Sequence, residues 1–493
     1  AQELRRGVRA GDQNRQVNRR PARHEQRKAH SWFRQADALH QAGKLEAALP
    51  LYKKVLAVDP NHWQAMFRLG LLCWQIRDFD RAISCLMSVI ARQPNFPHAH
   101  YNLGVVYEEQ GRVMQALASF QEAIRLKPDF ADAWEGLGKA LHALGNPEDA
   151  VRCYDKALAV SPPHGVATAE RRYNSSYSLM ALGRWKEGWE AYEARFQSPV
   201  FLGNYVLEHH EPSWDGSPLE GRQLLVHAEQ GFGDSMMMAR YLPLIEGDVV
   251  VEVQAPLVRL FRESFPTRHI VAQGEEHPRC DCQVAMMSLA HRFGMTAENV
   301  PTKPWLRRPW NFPGPNLPAG DGLKVGYVWS GNPQHRNQKR RSIDLEYWKP
   351  VFAVPGVTWY SLQIDETSLQ GHQLKPLITD FADTAALIAQ LDLVICCDTA
   401  VAHLAGALGK PVWVMLPTIP DYRWGLLSNE TCWYPTMQLV RQEAAGAWEG
   451  VMREVAEGLE LLLEVRARPA AADPAPAPDS YLETNGARVA DSA

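Results

Sequence analysis

Three short stretches in the second half of the chain carry side chains suited to chemistry. In "LLVHAEQGFGDSMMMARYLPLI", residues 224–245, an apolar run meets the turn Gly231-Phe232-Gly233, and Asp234 opens a Met-rich helical run. An acid there is either a catalytic carboxylate or a helix cap, because aspartate satisfies the free amides of a first turn. In "VWSGNPQHRNQKRRSIDL", residues 328–345, an apolar run ends in Ser330-Gly331-Asn332; His335, Arg336, Lys339, Arg340 and Arg341 follow. A basic loop with a glycine suits a diphosphate, since a guanidinium grips phosphate oxygens in pairs. A solvated basic loop is the plainer alternative. No aromatic residues are interleaved in the loop, which argues against nucleic acid. In "CDTAVAHLAGALGKPVWVML", residues 397–416, an apolar strand ends at Asp398 and a helix begins with Thr399-Ala400-Val401. The free amides and positive dipole end of such a helix hold phosphate. His403 follows one turn after Thr399 on the same face, where a satisfied core histidine is the other reading. Asp383-Thr384, in "DFADTAALIAQLDLVI", reads as a further helix cap near the same place.

These stretches need elements that bring them together. From Gln223 onward, apolar β-branched runs alternate with amphipathic ones. Strands are expected at 223–228, 249–254, 269–273 and 281–285, with helices near 234–245, 256–265 and 287–294. After the Pro/Trp-rich "VPTKPWLRRPWNFPGPNLPAGDG", which reads as an interdomain linker, the alternation restarts. Strands are expected at 323–331, 357–363, 392–398 and 411–416, and helices near 344–353, 383–390 and 399–408. This is the pattern of two open βαβ sheets in tandem. Ligands of such sheets bind at the carboxyl ends of the strands, which puts a site in the cleft between the two.

The first part of the chain is different. Prolines stand at 60, 94, 128 and 162, at a constant interval of 34 residues. In the same frame Ala48, Ala82, Ala116 and Ala150 recur, as do Tyr52, Leu86, Phe120 and Tyr154, and Leu-Gly pairs at 69, 103 and 137. A 34-residue unit of this kind resembles the tetratricopeptide repeat, a helix–turn–helix unit. Small residues let the paired helices approach, the larger residue fills the gap to the next unit, and proline ends the second helix. Such units must stack to bury their apolar faces, and the groove of the stack holds an extended peptide or another protein. A degenerate fifth copy, "YNSSYSLMALGRWKEGWEAYEARF", is expected to cap the stack and join it to the second half of the chain.

The bulk composition excludes several classes. The chain has 493 residues, 46% apolar and 22% charged, with a formal net charge of −4, so no overall field points to nucleic acid or membrane. No apolar run is long enough to span a bilayer, and no secretory signal is apparent. The eight cysteines show no CxxC pairing, which suits a reducing cytoplasm, with no disulfide frame and no zinc site expected. Residues 1–29 carry nine Arg/Lys against three Asp/Glu and read as a basic disordered arm. Residues 468–493 are Pro/Ala-rich and read as a disordered tail.

On "GFGDSMMMARYLP" and "CDTAVAHLAGALGKPVWVML", the second half resembles glycosyltransferases of the two-Rossmann (GT-B) type, specifically the lipopolysaccharide heptosyltransferase group. The union of repeats with this half, through "EPSWDGSPLEGRQLLVHAEQGFGD", resembles bacterial tetratricopeptide-repeat glycosyltransferases, and its architecture is similar to protein O-GlcNAc transferases. The resemblance implies an α plus α/β chain: repeats at 30–163, a degenerate repeat and linker at 164–212, a first Rossmann-like domain at 213–300 on the acceptor side, a linker at 301–322, and a donor domain at 323–467. It implies transfer of a sugar from a nucleotide-diphosphate sugar. Asp234 would be the general base, with Gly231 and Gly233 forming the turn beneath it. Ser330, Gly331, Arg340, Arg341, Asp398, Thr399, Ala400 and His403 would hold the donor. No metal and no cofactor are expected, because helix amides and Arg/Lys can meet the charge of the leaving diphosphate. The first Rossmann half is short for a heptosyltransferase, so a protein acceptor on the repeat groove is expected over a lipid-linked saccharide. A saccharide acceptor and an inactive repeat scaffold remain the alternatives. The setting implied is cytoplasmic.

Overall fold

The computed structural model describes residues 23–204, 209–307, 314–334, 338–364 and 370–467. Most of the basic arm, the proline-rich tail, and His335 and Arg336 lie outside the described residues. The chain is a helical solenoid followed by two parallel-sheet α/β units.

The solenoid is built from antiparallel helix pairs: α1 (Arg23–Gln41) with α2 (Leu45–Val58), α3 (Trp63–Gln75) with α4 (Phe79–Arg92), α5 (Pro97–Glu109) with α6 (Val113–Leu126), and α7 (Ala131–Ala143) with α8 (Pro147–Ala159). The recurring small residues are the points of closest approach. A methyl at Gly104 would sit 2.7 Å from the Phe120 ring, and one at Gly136 would sit 2.6 Å from the other side of the same ring. Ala48, Ala82, Ala116 and Ala150 are fully buried. The fifth pair is α9 (Val166–Ala181) with α10 (Trp185–Tyr192). It does more than cap the stack: Trp185, Trp189 and Tyr192 belong to the same continuous core as both α/β units. A 3-10 turn then carries Arg195, which is fully buried and grips Glu229 with two hydrogen bonds of 2.9 and 2.7 Å. The short helix α11 (Pro199–Asn204) follows.

In the first sheet β1 (Leu224–His227), β2 (Val249–Val253), β3 (His269–Ala272) and β4 (Cys282–Ala285) run parallel in the order β3-β2-β1-β4. Helices α12 (Phe232–Met238), α13 (Val258–Ser264) and α14 (Leu289–Arg292) accompany it. The expected helix over 234–245 differs in two ways. It starts at Phe232, because the Asp234 carboxylate accepts the Gly231 amide at 3.0 Å and makes Asp234 the third residue of the helix. It relaxes to a 3-10 helix over Ala239–Leu244, where Pro243 supplies no amide.

The second sheet contains β5 (Leu323–Val328), β6 (Val357–Ser361), β7 (His372–Gln373), β8 (Leu393–Cys397), β9 (Val412–Leu416) and β10 (Met437–Arg441), in the order β10-β9-β8-β5-β6-β7 and all parallel. Numbered within this sheet, that is the 3-2-1-4-5-6 order of a dinucleotide-binding fold, and the first sheet is its 3-2-1-4 part. Helices α15 (Gln338–Arg341), α16 (Lys349–Phe352), α17 (Phe381–Ala389), α18 (Ala400–Ala407) and α19 (Trp448–Ala467) complete the unit. The cap of α17 is not Asp383-Thr384. Asp380 takes that role, accepting the amides of Ala382 at 2.8 Å and Asp383 at 3.3 Å. Asp383 lies one turn in, where its carboxylate accepts the Thr379 amide and pairs with Arg259.

The two α/β units are clamped face to face. Arg259 of α13 forms a fork on Asp380, at 2.9 and 2.6 Å, and reaches Asp383 at 2.6 Å. Arg240 is buried with its guanidinium 4.0 Å from the Trp305 ring, 4.9 Å from Tyr434 and 5.1 Å from Trp433. It donates to the carbonyls of Pro301 and Trp433, so one cation ties the first unit to the linker and to the second unit. Burial lowers its pKa, and the aromatic faces are what it has in place of a carboxylate.

Candidate functional site

The carboxyl ends of the two sheets meet where α12 packs on α18. Gly233 makes that contact possible: a methyl there would fall 2.7 Å from Cδ2 of His403. His403 is buried, hydrogen-bonded through Nδ1 to the Tyr434 hydroxyl at 2.8 Å, and stacked on Trp424 with centroids 5.3 Å apart. Burial pushes its pKa well below the usual histidine range, and the charges of Arg423 and Arg240 add to this. Its ring packs between the two units.

Asp234 sits at the rim of this contact with its side chain 17% exposed. One carboxylate oxygen caps Gly231; the other accepts from Arg423. Arg423 also pairs with Asp421 at 2.6 Å. Both residues lie in the loop "PTIPDYRWG" that comes after β9. This loop has no basic run to mark it in the sequence, and its glycine, Gly425, comes only after Arg423. Its one signal is position, since polar residues just past the carboxyl end of a buried parallel strand face the ligand side. Arg423 is almost wholly buried, and its two acids hold its pKa well above the usual arginine value.

On the second sheet, β8 leads into Asp398 and Thr399, and Ala400 opens α18. Burial, together with the nearby Asp421, raises the Asp398 carboxyl to a pKa of about 6, against the lowering effect of Arg423 and Arg341. Thr399 is buried and its hydroxyl oxygen has no hydrogen-bond partner among the described residues. A buried polar atom at a helix start that lacks a partner is the kind of group a ligand satisfies. Across from it β5 ends at Val328 and leads to Ser330 and Gly331. Gly331 is needed for closeness: a methyl there would lie 2.7 Å from Nη2 of Arg341 and 3.3 Å from the Thr399 methyl. Arg341 reaches over it to the Asp398 carbonyl at 3.0 Å. The Ser330 hydroxyl accepts from Gln338 at 2.7 Å. Arg340, the neighbouring candidate, is exposed. The structure thus gathers Gly331, Arg341, Asp398, Thr399, Arg423 and Asp234 along one seam. His403 lies beneath the seam, buried, and the Arg340 side chain is exposed.

The solenoid reaches the same seam. A methyl at Gly145, in the turn between α7 and α8, would touch Ile419 at 3.3 Å, and Tyr177 of α9 packs edge-on against Tyr422. Both partners belong to the loop that carries Asp421 and Arg423.

Comparison with known proteins agrees with this division. Residues 39–105 and 101–165 match tetratricopeptide repeat families, and residues 374–431 match glycosyltransferase family 9 (heptosyltransferase). The last match includes Asp398, Thr399, Asp421 and Arg423 but not Asp234 or Arg341. The chain is similar to Protein FlbA of Caulobacter vibrioides, with 32% identity over 323 residues, 57% of this chain and 53% of that protein. It thus spans about half the length of this curated relative. Among solved structures, the crystal structure of MamA aligns with 32% of this chain and 91% of its own at 24% identity and a TM-score of 0.30. The pilF protein of Pseudomonas aeruginosa aligns with 35% of this chain and 76% of its own at 18% identity and a TM-score of 0.32.

Proposed function

We propose that this chain is a glycosyltransferase that moves a sugar from a nucleotide-diphosphate sugar to a protein docked on the repeat groove. The observation that carries the reading is the seam itself. An acid from the first sheet and phosphate-suited groups from the second converge where two parallel sheets present their carboxyl ends, within reach of a family 9 match.

In this reading the donor diphosphate lies over Gly331, with Arg341 and the amides at the start of α18 meeting its charge and the Thr399 hydroxyl donating to it. Asp234 and Arg423 hold each other at rest. A carboxylate held by a guanidinium is a poor proton acceptor, and a bound diphosphate competes for that guanidinium. Donor binding would draw Arg423 away and release Asp234. The acceptor hydroxyl oxygen then attacks the anomeric carbon, the bond to the diphosphate oxygen breaks, and the hydroxyl proton passes to Asp234. The contact of the solenoid with the 417–425 loop supports delivery of a groove-bound protein to this seam.

The test is a thermal-shift titration of the full chain with UDP-, GDP- and ADP-sugars. One of them should raise Tm with concentration, and Arg341→Gln should abolish the rise, since a ligand that binds only the native state stabilises it. No shift with any donor would overturn the reading.

A further inference from the structure

The first sheet has a second face that the seam does not use. Leu224 and Val226 of β1 point into the large shared core, whereas Leu225 packs with Val250, Val271 and Cys280 on the opposite side. Alternation along the strand puts His227 on that opposite side too. Its register partner on β2 is Glu252. Two further histidines lie over this pair. His209, on the stretch that leads from the repeats to β1, has Nε2 3.3 Å from a Glu252 oxygen. Its ring centroid is 4.6 Å from His227 and 6.0 Å from His277, which lies beyond β3. One ligand atom each from His209, Glu252 and His277 lie within 4.8 Å of one another.

Glu252 is 6% exposed, and among the described residues no lysine or arginine pairs with it. A carboxylate in such a place calls for a cation. The imidazoles are prepared for one. Nδ1 of His277 donates to the Pro278 carbonyl at 2.8 Å, which leaves Nε2 as the lone-pair nitrogen. A backbone carbonyl that fixes the tautomer in this way is the usual outer partner of a metal-binding histidine. His227 behind them is held by Gln283 at 2.9 Å. Two imidazoles and one carboxylate form a donor set for zinc-type cations rather than for magnesium or calcium.

We propose that His209, Glu252 and His277 bind a zinc-type divalent cation, with water completing the shell. The three come from the repeat-to-sheet connection, from β2 and from the stretch after β3, so the ion would fasten that connection to the back of the first sheet. Cysteine spacing gave no hint of such a site, because its ligands are scattered over three separate segments without a motif. The proposal stands apart from the transferase reading.

The experiment is a zinc titration of chelator-stripped full chain against a chromogenic zinc indicator, at neutral pH and with excess Mg²⁺ present. One equivalent per chain should bind, with a matching rise in Tm. His277→Ala, in a partly exposed position, and the near-isosteric Glu252→Gln should each weaken binding at least about tenfold, the scale seen when a ligand or its support is lost. His269→Ala, at an exposed histidine outside the cluster, should leave binding unchanged. Absence of a one-equivalent site, affinity unchanged in both cluster variants, or equal weakening by His269→Ala would each overturn the proposal.

Discussion

Asp234→Asn separates two jobs that one carboxylate performs. One oxygen caps the Gly231 amide at 3.0 Å, and the other meets Arg423. An asparagine amide oxygen at this third helical position can still accept the Gly231 amide, so the first job survives. The second is lost. The two side chains are 12% and 17% exposed, so the bond is largely buried, and a hydrogen bond to a charged group is worth about 1.5–3 kcal/mol. Arg423 retains Asp421 at 2.6 Å, which prevents the larger cost of a stranded charge and brings the expected loss to about 1–2 kcal/mol. Asp234→Ala also removes the acceptor of the Gly231 amide and should cost about 1 kcal/mol more. Denaturant unfolding of the three proteins reads this ladder. Transfer should fall much further than stability, by about 10²–10⁴-fold for loss of a general base. Donor affinity should hold or rise, because Arg423 has lost a competitor. The reasoning fails if Asp234→Asn turns over in proportion to its folded fraction, or if asparagine and alanine destabilise equally.

Three further outcomes are expected. With its pKa raised to about 6 by burial and Asp421, Asp398 keeps a proton in the folded state that the unfolded chain has already released. Stability should therefore decline as pH rises from about 4 to about 6, and Asp398→Asn should flatten that part of a Tm-against-pH curve. Gly233→Ala drives a methyl to 2.7 Å from an imidazole held by Tyr434 and Trp424, and should cost about 1–3 kcal/mol by overpacking. Gly231→Ala meets only the Asp234 oxygen at 3.2 Å and should cost less; equal unfolding midpoints would contradict the interface described. Arg195→Met leaves the buried Glu229 without its cation, for a loss of about 3–5 kcal/mol. Adding Glu229→Gln should restore part of it, and protease cleavage near residue 195 should rise only in the single variant.

How much of the molecule is legible in its sequence depends on whether a feature has a period. The repeats do: Ala48, Ala82, Ala116 and Ala150 stand in one frame and all are buried. The sheets do as well, and both are parallel where alternation of strand and helix requires it. Among the elements that went unexpected are β7, β10 and α19. Helix α19 buries Trp448, Val451, Met452, Val455 and Leu459, a plain helical spacing that is enough to locate it. β10 is five residues closely preceded by Pro435, and β7 is two, so neither offers a pattern long enough to detect. Within the candidate site, glycine turns and helix starts mark Gly233, Gly331 and Thr399 in the sequence. Arg423 reaches Asp234 across a domain boundary, and no spacing along the chain encodes that pairing. His403 was legible as a residue one turn after Thr399; its packing against Gly233 was not, because it crosses between the two units.

The fifth helix pair joins repeats and sheets through one shared core. A solenoid attached only by its connecting strand would swing, and anything bound in its groove would find the seam by chance. Here Trp185, Trp189 and Tyr192 share a core with the sheets, Trp185 and Trp189 lie edge-on to Trp433, and Arg195 is buried against Glu229 directly after β1. Glu229 and Asp234 bracket the same glycine turn. The element that orients the groove is therefore packed against the residues that begin the site. In the proposed reading, a protein held on the repeats would reach the seam at a fixed angle, with the orientation cost met during folding rather than at each encounter.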